Sequence, residues 1–244
     1  MSEQTQWILA VESSAGPASA AVICQENGTQ RVVCTTSVNN RLTHSQTLMP
    51  MILDMLKNAA LSLEDMTHLA VAVGPGSFTG LRIGVAAVKG LSFPKQIPCV
   101  AVSTLAGMAR RVEGLPYNGL ILTAMDARCG QIYTALFSCE NGVIQRLTAD
   151  EALSLAEVRQ RLQGEERPIL IIGDGAVPCY EAIADMVKAT LAPADWRYQH
   201  AVGVALESVL KIQNGEVISG EELLPAYLRL PQAERELRAK QERT

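Results

Sequence analysis

The feature of this sequence that most restricts its fold is an order of predicted elements that occurs twice. Both halves read strand, strand, strand, helix, strand, helix. Strands are predicted at residues 7–11, 18–24, 31–38, 69–73 and 99–102, and again at 119–126, 131–138, 143–147 and 169–172. Helices are predicted at 44–60 and 77–91 and from 104, and again at 150–162 and 177–190. The repeated order predicts a duplicated unit of about 110 residues.

Three antiparallel strands joined to parallel strands through crossover helices predict a mixed sheet with helices on its faces. Two such units give the α/β architecture of the actin, sugar kinase and Hsp70 ATPase group, which has an RNase H-like core. We therefore predict one unit at residues 1–112, a second at 113–223, and a C-terminal segment with a charged tail at 224–244. In that architecture a nucleotide lies in the cleft between the two units.

The composition predicts a folded protein without a strong attraction to nucleic acid. Hydrophobic residues make up 48% of the 244 residues and charged residues 19%, and the formal net charge is −4. A contact with nucleic acid phosphates would therefore have to be local or pass through a partner. The six cysteines lack a C-x-x-C pair and are expected to be reduced. Without a signal-peptide pattern or a long apolar run, the cytoplasm is the expected location, with no membrane contact.

The segment GPGSFTG at residues 74–80 follows an apolar strand and opens a helix. It is not a P-loop, because no lysine follows at the spacing that contacts phosphates. It also lacks the dinucleotide-binding pattern, because Thr79 stands where the third glycine should be. We expect a tight turn at Gly74, Pro75 and Gly76, with Ser77 as the N-cap of the helix.

Two glycines of that helix, Gly80 and Gly84, lie on one face, which Ala87 and Val88 continue. Glycine inside a helix costs about 1 kcal/mol relative to alanine, so a closely approaching backbone is expected in compensation. The residues alone favour this chain's own sheet or a neighbouring helix over a second chain, and both remain open.

Three carboxylates follow predicted strands, namely Glu12, Asp126 and Asp174. In a nucleotide-binding cleft such positions hold magnesium through water and orient a nucleophile. The adjacent turns are poor in glycine, and Arg128 could bind an anion or pair with Asp126 or Glu12. A structural ion pair is the favoured interpretation, and an active nucleotide site is the alternative.

The sequence offers little for a metal or a serine nucleophile. His44, His68 and His200 are isolated, and no H-E-x-x-H pattern occurs. His44 opens a helix and is expected to be a capping or surface residue. No G-x-S-x-G pattern surrounds Ser77. The segment LPAYLRLP at 224–231 is apolar and bracketed by prolines, and it could lie across this protein or a partner.

Five segments in this order resemble the TsaB family, the accessory proteins of bacterial tRNA threonylcarbamoyladenosine (t6A) synthesis. They are WILAVESSAGPASAAVI, HSQTLMPMI, VAVGPGSFTGLRIGVAAVKGL, MDARCGQIYTALF and PAYLRLPQAE. The combination of GPGSFTGLRIG with MDARxGxxY is specific to that family. Glu12 is a departure, because an aspartate is more usual there.

The resemblance implies a noncatalytic subunit without a cofactor or metal of its own. The catalytic relative TsaD carries two metal-binding histidines, and Thr104 and Met108 occupy the corresponding positions here. Neither is a good ligand for a hard or borderline cation. The implied partners are TsaD, as a heterodimer, and the ATPase TsaE, which would supply metal and nucleotide. The complex would transfer the threonylcarbamoyl group onto N6 of adenosine 37 in tRNAs that read codons starting with A, with tRNA reached only through the complex.

The resemblance also implies that the helices at 44–57 and 77–91 pack against the equivalent pair of TsaD, and it shifts the expected neighbour of the two glycines to that partner. The residues expected at this interface are Leu48, Met51, Ile52, Met55, Gly80, Leu81, Gly84, Ala87 and Val88. A bulky residue at Gly84 is expected to block association while leaving unfolding nearly unchanged. The same surface could form a homodimer when TsaD is absent.

Two alternative functions remain. One is an ATPase or small-molecule kinase with a cleft site at Glu12, Asp126 and Asp174. The other, weaker alternative is a glycoprotease-like peptidase.

Overall fold

The computed structural model describes residues 5–40 and 42–229. The predictions for the tail beyond residue 229 lie outside the described residues. The strands are β1 (Gln6–Glu12), β2 (Ala18–Glu26), β3 (Thr29–Val38), β4 (His68–Gly74), β5 (Cys99–Ser103), β6 (Gly119–Asp126), β7 (Gln131–Glu140), β8 (Val143–Arg146), β9 (Glu151–Ser154), β10 (Ile169–Ile172) and β11 (Ala189–Leu191). The α-helices are α1 (His44–Asn58), α2 (Phe78–Ser92), α3 (Thr104–Arg110), α4 (Leu155–Arg161), α5 (Ala176–Ile183) and α6 (Ala201–Gln213).

The two sheets have the same topology. The first has the strand order β3-β2-β1-β4-β5, and the second has the order β11-β10-β6-β7-β8, with β9 added beside β7. In both sheets the first three strands are antiparallel and the later strands join in parallel. The α/β fold class of two actin-like units, each a mixed sheet flanked by helices, is thereby confirmed.

Two helix predictions in the second half are too long. Residues 151–154 pair with β7 as a strand, and α4 begins only at Leu155. The cause is a capping box in which Ser154 and Glu157 satisfy each other's backbone N–H groups, which fixes the helix start. The predicted helix through residue 190 ends at Ile183, and β11 then extends the sheet beside β10.

Helices of both halves are exchanged between the sheets. α1 and α2 cover one face of the first sheet, and its other face packs against α6, which begins about 100 residues after β5, the last strand of that sheet. α3 belongs to the first half by sequence but packs on the second sheet and on α6. A salt bridge of 2.8 Å joins Arg110 Nε on α3 to Glu207 Oε2 on α6. The boundary at residue 112 remains a prediction.

Within the described residues, none of the helices combines the length and the apolar character that crossing a bilayer requires.

Candidate functional site

The first of the candidate carboxylates immediately precedes the turn between β1 and β2, residues 13–17. Glu12 ends β1 and is only 1% exposed, and its Oε1 accepts a hydrogen bond of 2.6 Å from the N–H of Ser14. Burial, partly offset by hydrogen bonds from Ser14 and Ser13, raises the pKa of Glu12 to about 7. The carboxylate is therefore turned back onto its own turn rather than open to a ligand.

The equivalent turn after β6 is built in the same way but is exposed. Asp126 Oδ1 accepts a hydrogen bond of 2.7 Å from the N–H of Arg128, and the N–H of Asp126 donates to Asp174 Oδ1 at 3.2 Å. The side chain of Arg128 forms no ion pair with either Asp126 or Glu12. The predicted structural ion pair is wrong, because Arg128 has a left-handed backbone, with φ of 62°, and its backbone N–H rather than its guanidinium meets the carboxylate.

A cleft of about 480 Å³ lies between the ends of β1 and β6. Asp126, Arg128 and Asp174 line it together with Tyr133, whereas Glu12 does not. The structure thus brings three of the four residues predicted for a nucleotide site into one cleft and separates the fourth from it.

The GPGSFTG segment packs against the backbone of the turn between β1 and β2. The N–H of Ser77 donates to Ser14 O at 2.7 Å, and a Cβ on Gly76 would lie 2.5 Å from the same oxygen. Ser77 Oγ accepts from the N–H of Gly80 at 3.3 Å, so its predicted role as N-cap is confirmed. The segment is a close-packing device, and its donors at Ser77 and Gly80 are already used by the protein.

The positions that correspond to the metal ligands of TsaD lie in the core. Thr104 is fully buried and Met108 is 1% exposed, both on α3. Across residues 5–40 and 42–229, no group of three or more His, Cys, Asp or Glu side chains has the arrangement to hold a metal ion.

The residues expected at a partner interface lie mostly inside the chain. All of the named residues except the partly buried Ala87 are buried: Leu48, Met51, Ile52, Met55, Gly80, Leu81, Gly84 and Val88. They form the inner faces of α1 and α2, and most of the larger ones belong to the core of the first sheet. They lie on the apolar side of each helix, and that side faces this chain's own sheet.

The close neighbour of the two helix glycines is likewise internal. A Cβ on Gly80 would lie 2.1 Å from Ser13 O, and one on Gly84 would lie 2.3 Å from Ser13 Oγ. The neighbour belongs to this chain, as the residues alone favour, but it is the turn after β1 and not the sheet or a neighbouring helix. The shift to a partner chain is not supported for these two positions. A bulky residue at Gly84 would collide within the monomer, so it cannot separate association from folding.

The surface that α1 and α2 present outward consists of other residues. On α1 it includes Pro50 and Leu53, whose side chain is 56% exposed. On α2 it includes the exposed Ala86 and Gly90 and the partly buried Ile83. A Cβ added at Gly90 would meet no atom within 4 Å. We call these five residues the outer helix face.

Residues 221–229, which we call the C-terminal strap, lie along α2 and end at the cleft. Lys89 Nζ donates to Glu221 O at 3.0 Å, and Arg82 Nε donates to the hydroxyl of Tyr227 at 2.9 Å. The Tyr227 ring is 5.0 Å from that of Phe78.

The strap then crosses from the first unit to the second. The N–H of Ala226 donates to Val73 O at 2.7 Å, and Arg229 Nη1 donates to Ala127 O at 2.8 Å. The segment predicted to lie across a surface therefore crosses this chain's own cleft, as far as residue 229.

Sequence reasoning missed the residues that join the first turn to the helices. Ser13 Oγ donates to Gly80 O at 2.9 Å, and His44 Nε2 lies 2.8 Å from Ala15 O. His44 is thus neither a cap nor a free surface residue. A small polar residue after a strand and a histidine at a helix start form no distinctive sequence pattern. The spacing of Gly80 and Gly84 is the one sequence signal for a close contact between this turn and α2.

The duplicated sheets and the match of most of the chain to one family model define the class. The model described as "TsaD: tRNA N6-adenosine threonylcarbamoyltransferase" matches residues 39–234, so the chain is a two-unit actin-like protein of that broad family. It is 33% identical to the tRNA threonylcarbamoyladenosine biosynthesis protein TsaB of Bacillus subtilis (strain 168), over 78% of this chain and 82% of that protein. The TsaB of Escherichia coli (strain K12) is 32% identical, over 75% of this chain and 71% of that protein. Within the class, the chain therefore belongs to the TsaB family.

The solved structure of YeaZ from Pseudomonas aeruginosa has the same fold. It is 26% identical with a TM-score of 0.76, covering 91% of this chain and 100% of that chain. A second Pseudomonas aeruginosa structure, described as a protein with similarity to peptidase YEAZ, is 27% identical with a TM-score of 0.75, over 92% of this chain and 100% of that chain.

Proposed function

We propose that this protein is a noncatalytic accessory subunit of tRNA threonylcarbamoyladenosine synthesis. It binds TsaD as a heterodimer, supports transfer of the threonylcarbamoyl group to adenosine 37, and assembles with TsaE. In this proposal the chain uses no metal or nucleotide of its own and contacts tRNA through the complex. The observation that carries the proposal is the membership of the TsaB family together with an outer helix face suited to a partner.

The duplication provides an internal comparison for that face. α4 and α5 are the counterparts of α1 and α2 in the second unit, and their surroundings are fixed by paired charges. Arg159 forms two hydrogen bonds with Asp185, and Arg161 does the same with Glu151. The 30 residues of α1 and α2 carry four charged side chains, as many as the 15 residues of α4 and α5, and among the described residues none of those four forms an ion pair. Because charge is depleted at the centre of interfaces, the first helix pair is the better docking surface.

Substitution of matched alanines tests this proposal. Ala86→Arg places a charge on the outer helix face, and Ala156→Arg places the same charge on the exposed part of α4. Wild type and Ala156→Arg should co-elute with TsaD in size-exclusion chromatography and support threonylcarbamoyl transfer, whereas Ala86→Arg should do neither. Equal melting temperatures of the two variants show that folding is intact. Failure of the wild type to bind TsaD or change its transfer rate would overturn the proposal.

The same chromatography tests the homodimer. Without TsaD, a homodimer formed through the outer helix face should elute at twice the monomer mass, and Ala86→Arg should return it to monomer. A dimer that persists in this variant would use another surface.

The enzyme alternative draws on the cleft that Asp126, Arg128 and Asp174 line. This alternative predicts that the isolated chain binds ATP with magnesium at micromolar affinity in calorimetry. It also predicts that Asp126→Ala abolishes this binding. We favour the accessory role because Glu12 is buried and the N–H of Ser14 is bound to it, so the first turn has neither an open carboxylate nor that free donor.

A further inference from the structure

The first turn of α2 is attached to the β1–β2 turn by two hydrogen bonds in opposite directions. Ser13 Oγ donates to Gly80 O at 2.9 Å, and Ser14 O accepts from the N–H of Ser77 at 2.7 Å. Gly80 allows the contact, because a Cβ there would lie 2.1 Å from Ser13 O. The start of α2 is therefore positioned by two consecutive residues of a turn that belongs to another part of the chain.

The start of α1 is attached to the next residue of the same turn. His44, the first residue of α1, lies with its Nε2 2.8 Å from Ala15 O, and because a carbonyl only accepts, Nε2 is the donor. The two helices that carry the outer helix face thus share one anchor at residues 13–15. Two of these anchor residues, Ser14 and Ala15, also line the cleft, together with Gly16.

Glu12 holds this turn from inside. Its Oε1 accepts a hydrogen bond from the N–H of Ser14, and Ser14 is only 1% exposed. A buried donor without an acceptor costs about 1–3 kcal/mol, so removing the carboxylate makes this conformation of the turn unfavourable. The charged or titratable groups around the turn are Asp174 across the cleft and His44 on α1.

The second unit has a related turn, but α5 is attached at the end of β6 and not at that turn: the N–H of Gly175, the N-cap of α5, donates to Ala124 O at 3.0 Å. Asp126 also accepts from the N–H two residues later, at Arg128, but that turn is exposed and bonds to Arg229 of the strap rather than to α4 or α5. The duplication therefore supplies a matched carboxylate for comparison.

We propose that the β1–β2 turn, fixed by the buried Glu12 side chain, is the shared anchor that positions the first turns of α1 and α2, and that it links the cleft wall to the outer helix face. Glu12 is a positioning residue in this arrangement. Its link to partner binding rests on the proposed function, but its effect on the two helices does not.

Amide hydrogen exchange on the full chain tests the anchor directly. Glu12→Ala should speed exchange about tenfold or more in the first turns of α1 and α2 and leave β7 and β10 unchanged. Glu12→Gln, whose amide oxygen can accept the same N–H, should match the wild type at about pH 5, where the buried Glu12 of the folded chain is also uncharged. Asp126→Ala should leave both helices unchanged. Equal exchange in α1 and α2 for Glu12→Ala and wild type, or a uniform increase through both units, would overturn the proposal.

Two single-bond variants keep the test decisive if Glu12→Ala does not fold. Ser13→Ala removes the bond to Gly80 and should speed exchange in α2 alone, whereas His44→Ala removes the bond to Ala15 and should speed it in α1 alone. If each variant loosens neither helix, the turn is not their anchor.

Binding to TsaD separates this proposal from the proposed function. Glu12→Ala should weaken association at least about tenfold although Glu12 is not on the surface, and Glu12→Gln should restore it. If wild type does not bind TsaD, the accessory role fails while the exchange result still decides the anchor. If Glu12→Ala loosens the helices yet binds TsaD as wild type does, the link to partner binding is wrong.

Discussion

Glu12 is a carboxylate that the fold keeps almost entirely from water. Burial, the largest cause, and the charge of Asp174 raise its pKa to about 7 from an ordinary value of 4.5, against the hydrogen bonds from Ser14 and Ser13 that lower it. Between these pH values the folded chain holds a proton that the unfolded chain has released. The stability that this proton contributes is therefore complete below pH 4.5 and is lost as the pH rises through about 7.

Replacing Glu12 by glutamine should remove this dependence on pH. With about 1.4 kcal/mol for each unit of pKa, the free energy of unfolding of wild type should fall relative to Glu12→Gln by about 3 kcal/mol between pH 4.5 and pH 8. Urea unfolding of both proteins across this range measures the difference, from which other titrating groups cancel. Parallel curves for the two proteins would mean that Glu12 titrates normally.

Two glycines of α2 should respond oppositely to alanine. At Gly80 the new Cβ would meet a backbone oxygen, Ser13 O, at 2.1 Å, so Gly80→Ala should lower the free energy of unfolding by about 1–3 kcal/mol. At Gly90 the space is open, and Gly90→Ala should raise it by up to about 1 kcal/mol through helix propensity. Urea unfolding of the pair measures both. Similar effects at the two sites would contradict the close contact with Ser13.

At the scale of elements, the end of the C-terminal strap contacts the first turns of α2 through one aromatic residue, Tyr227. Tyr227→Ala removes the ring contact with Phe78 and the bond from Arg82, which together should cost about 1 kcal/mol of unfolding free energy. It should also speed exchange of the Ala226 amide, which donates to Val73. Leu224→Ala is the control, because Leu224 is 69% exposed and should change neither. An unaltered Ala226 amide in Tyr227→Ala would show that the backbone alone holds the strap.

Most elements of both halves are predictable from local signals, and the exceptions have common causes. The apolar strands and the N-cap at Ser77 depend on neighbouring residues, which the sequence displays. β9 and β11 are short strands at the side or edge of the second sheet, where pairing with β7 and β10 decides the conformation. The helix spacing identifies the buried sides of α1 and α2, but it cannot tell whether a sheet or a partner covers them.

The candidate site shows the same division. The three acidic residues are recognisable because each follows a strand, and two of them reach the cleft. The direction of Glu12 depends on a hydrogen bond to Ser14 and on the cover that α2 provides, which only the folded chain supplies.

At the scale of the whole molecule, the exchange of α3 and α6 should make the two units unfold together. Trp7 reports the first sheet and Trp196 the second, and each is partly buried against its own core. Trp196→Phe keeps only the reporter of the first sheet, and Trp7→Phe keeps only the reporter of the second. In each variant, the urea midpoint from tryptophan fluorescence should agree within about 0.3 M with the midpoint from circular dichroism, which reports both units. Two separated transitions in one variant would show that the units are independent.

The placement of α6 also has a consequence for the newly made chain. The face of the first sheet with Ile8, Ala70 and Val100 is covered by α6, whose first residue follows β5 by about 100 residues. At about 5–20 residues per second, a ribosome needs about 5–20 s to reach it. For that time the apolar face is open to chaperones or to other nascent chains, so the half that is translated first is completed only after all the strands of the second sheet have been made.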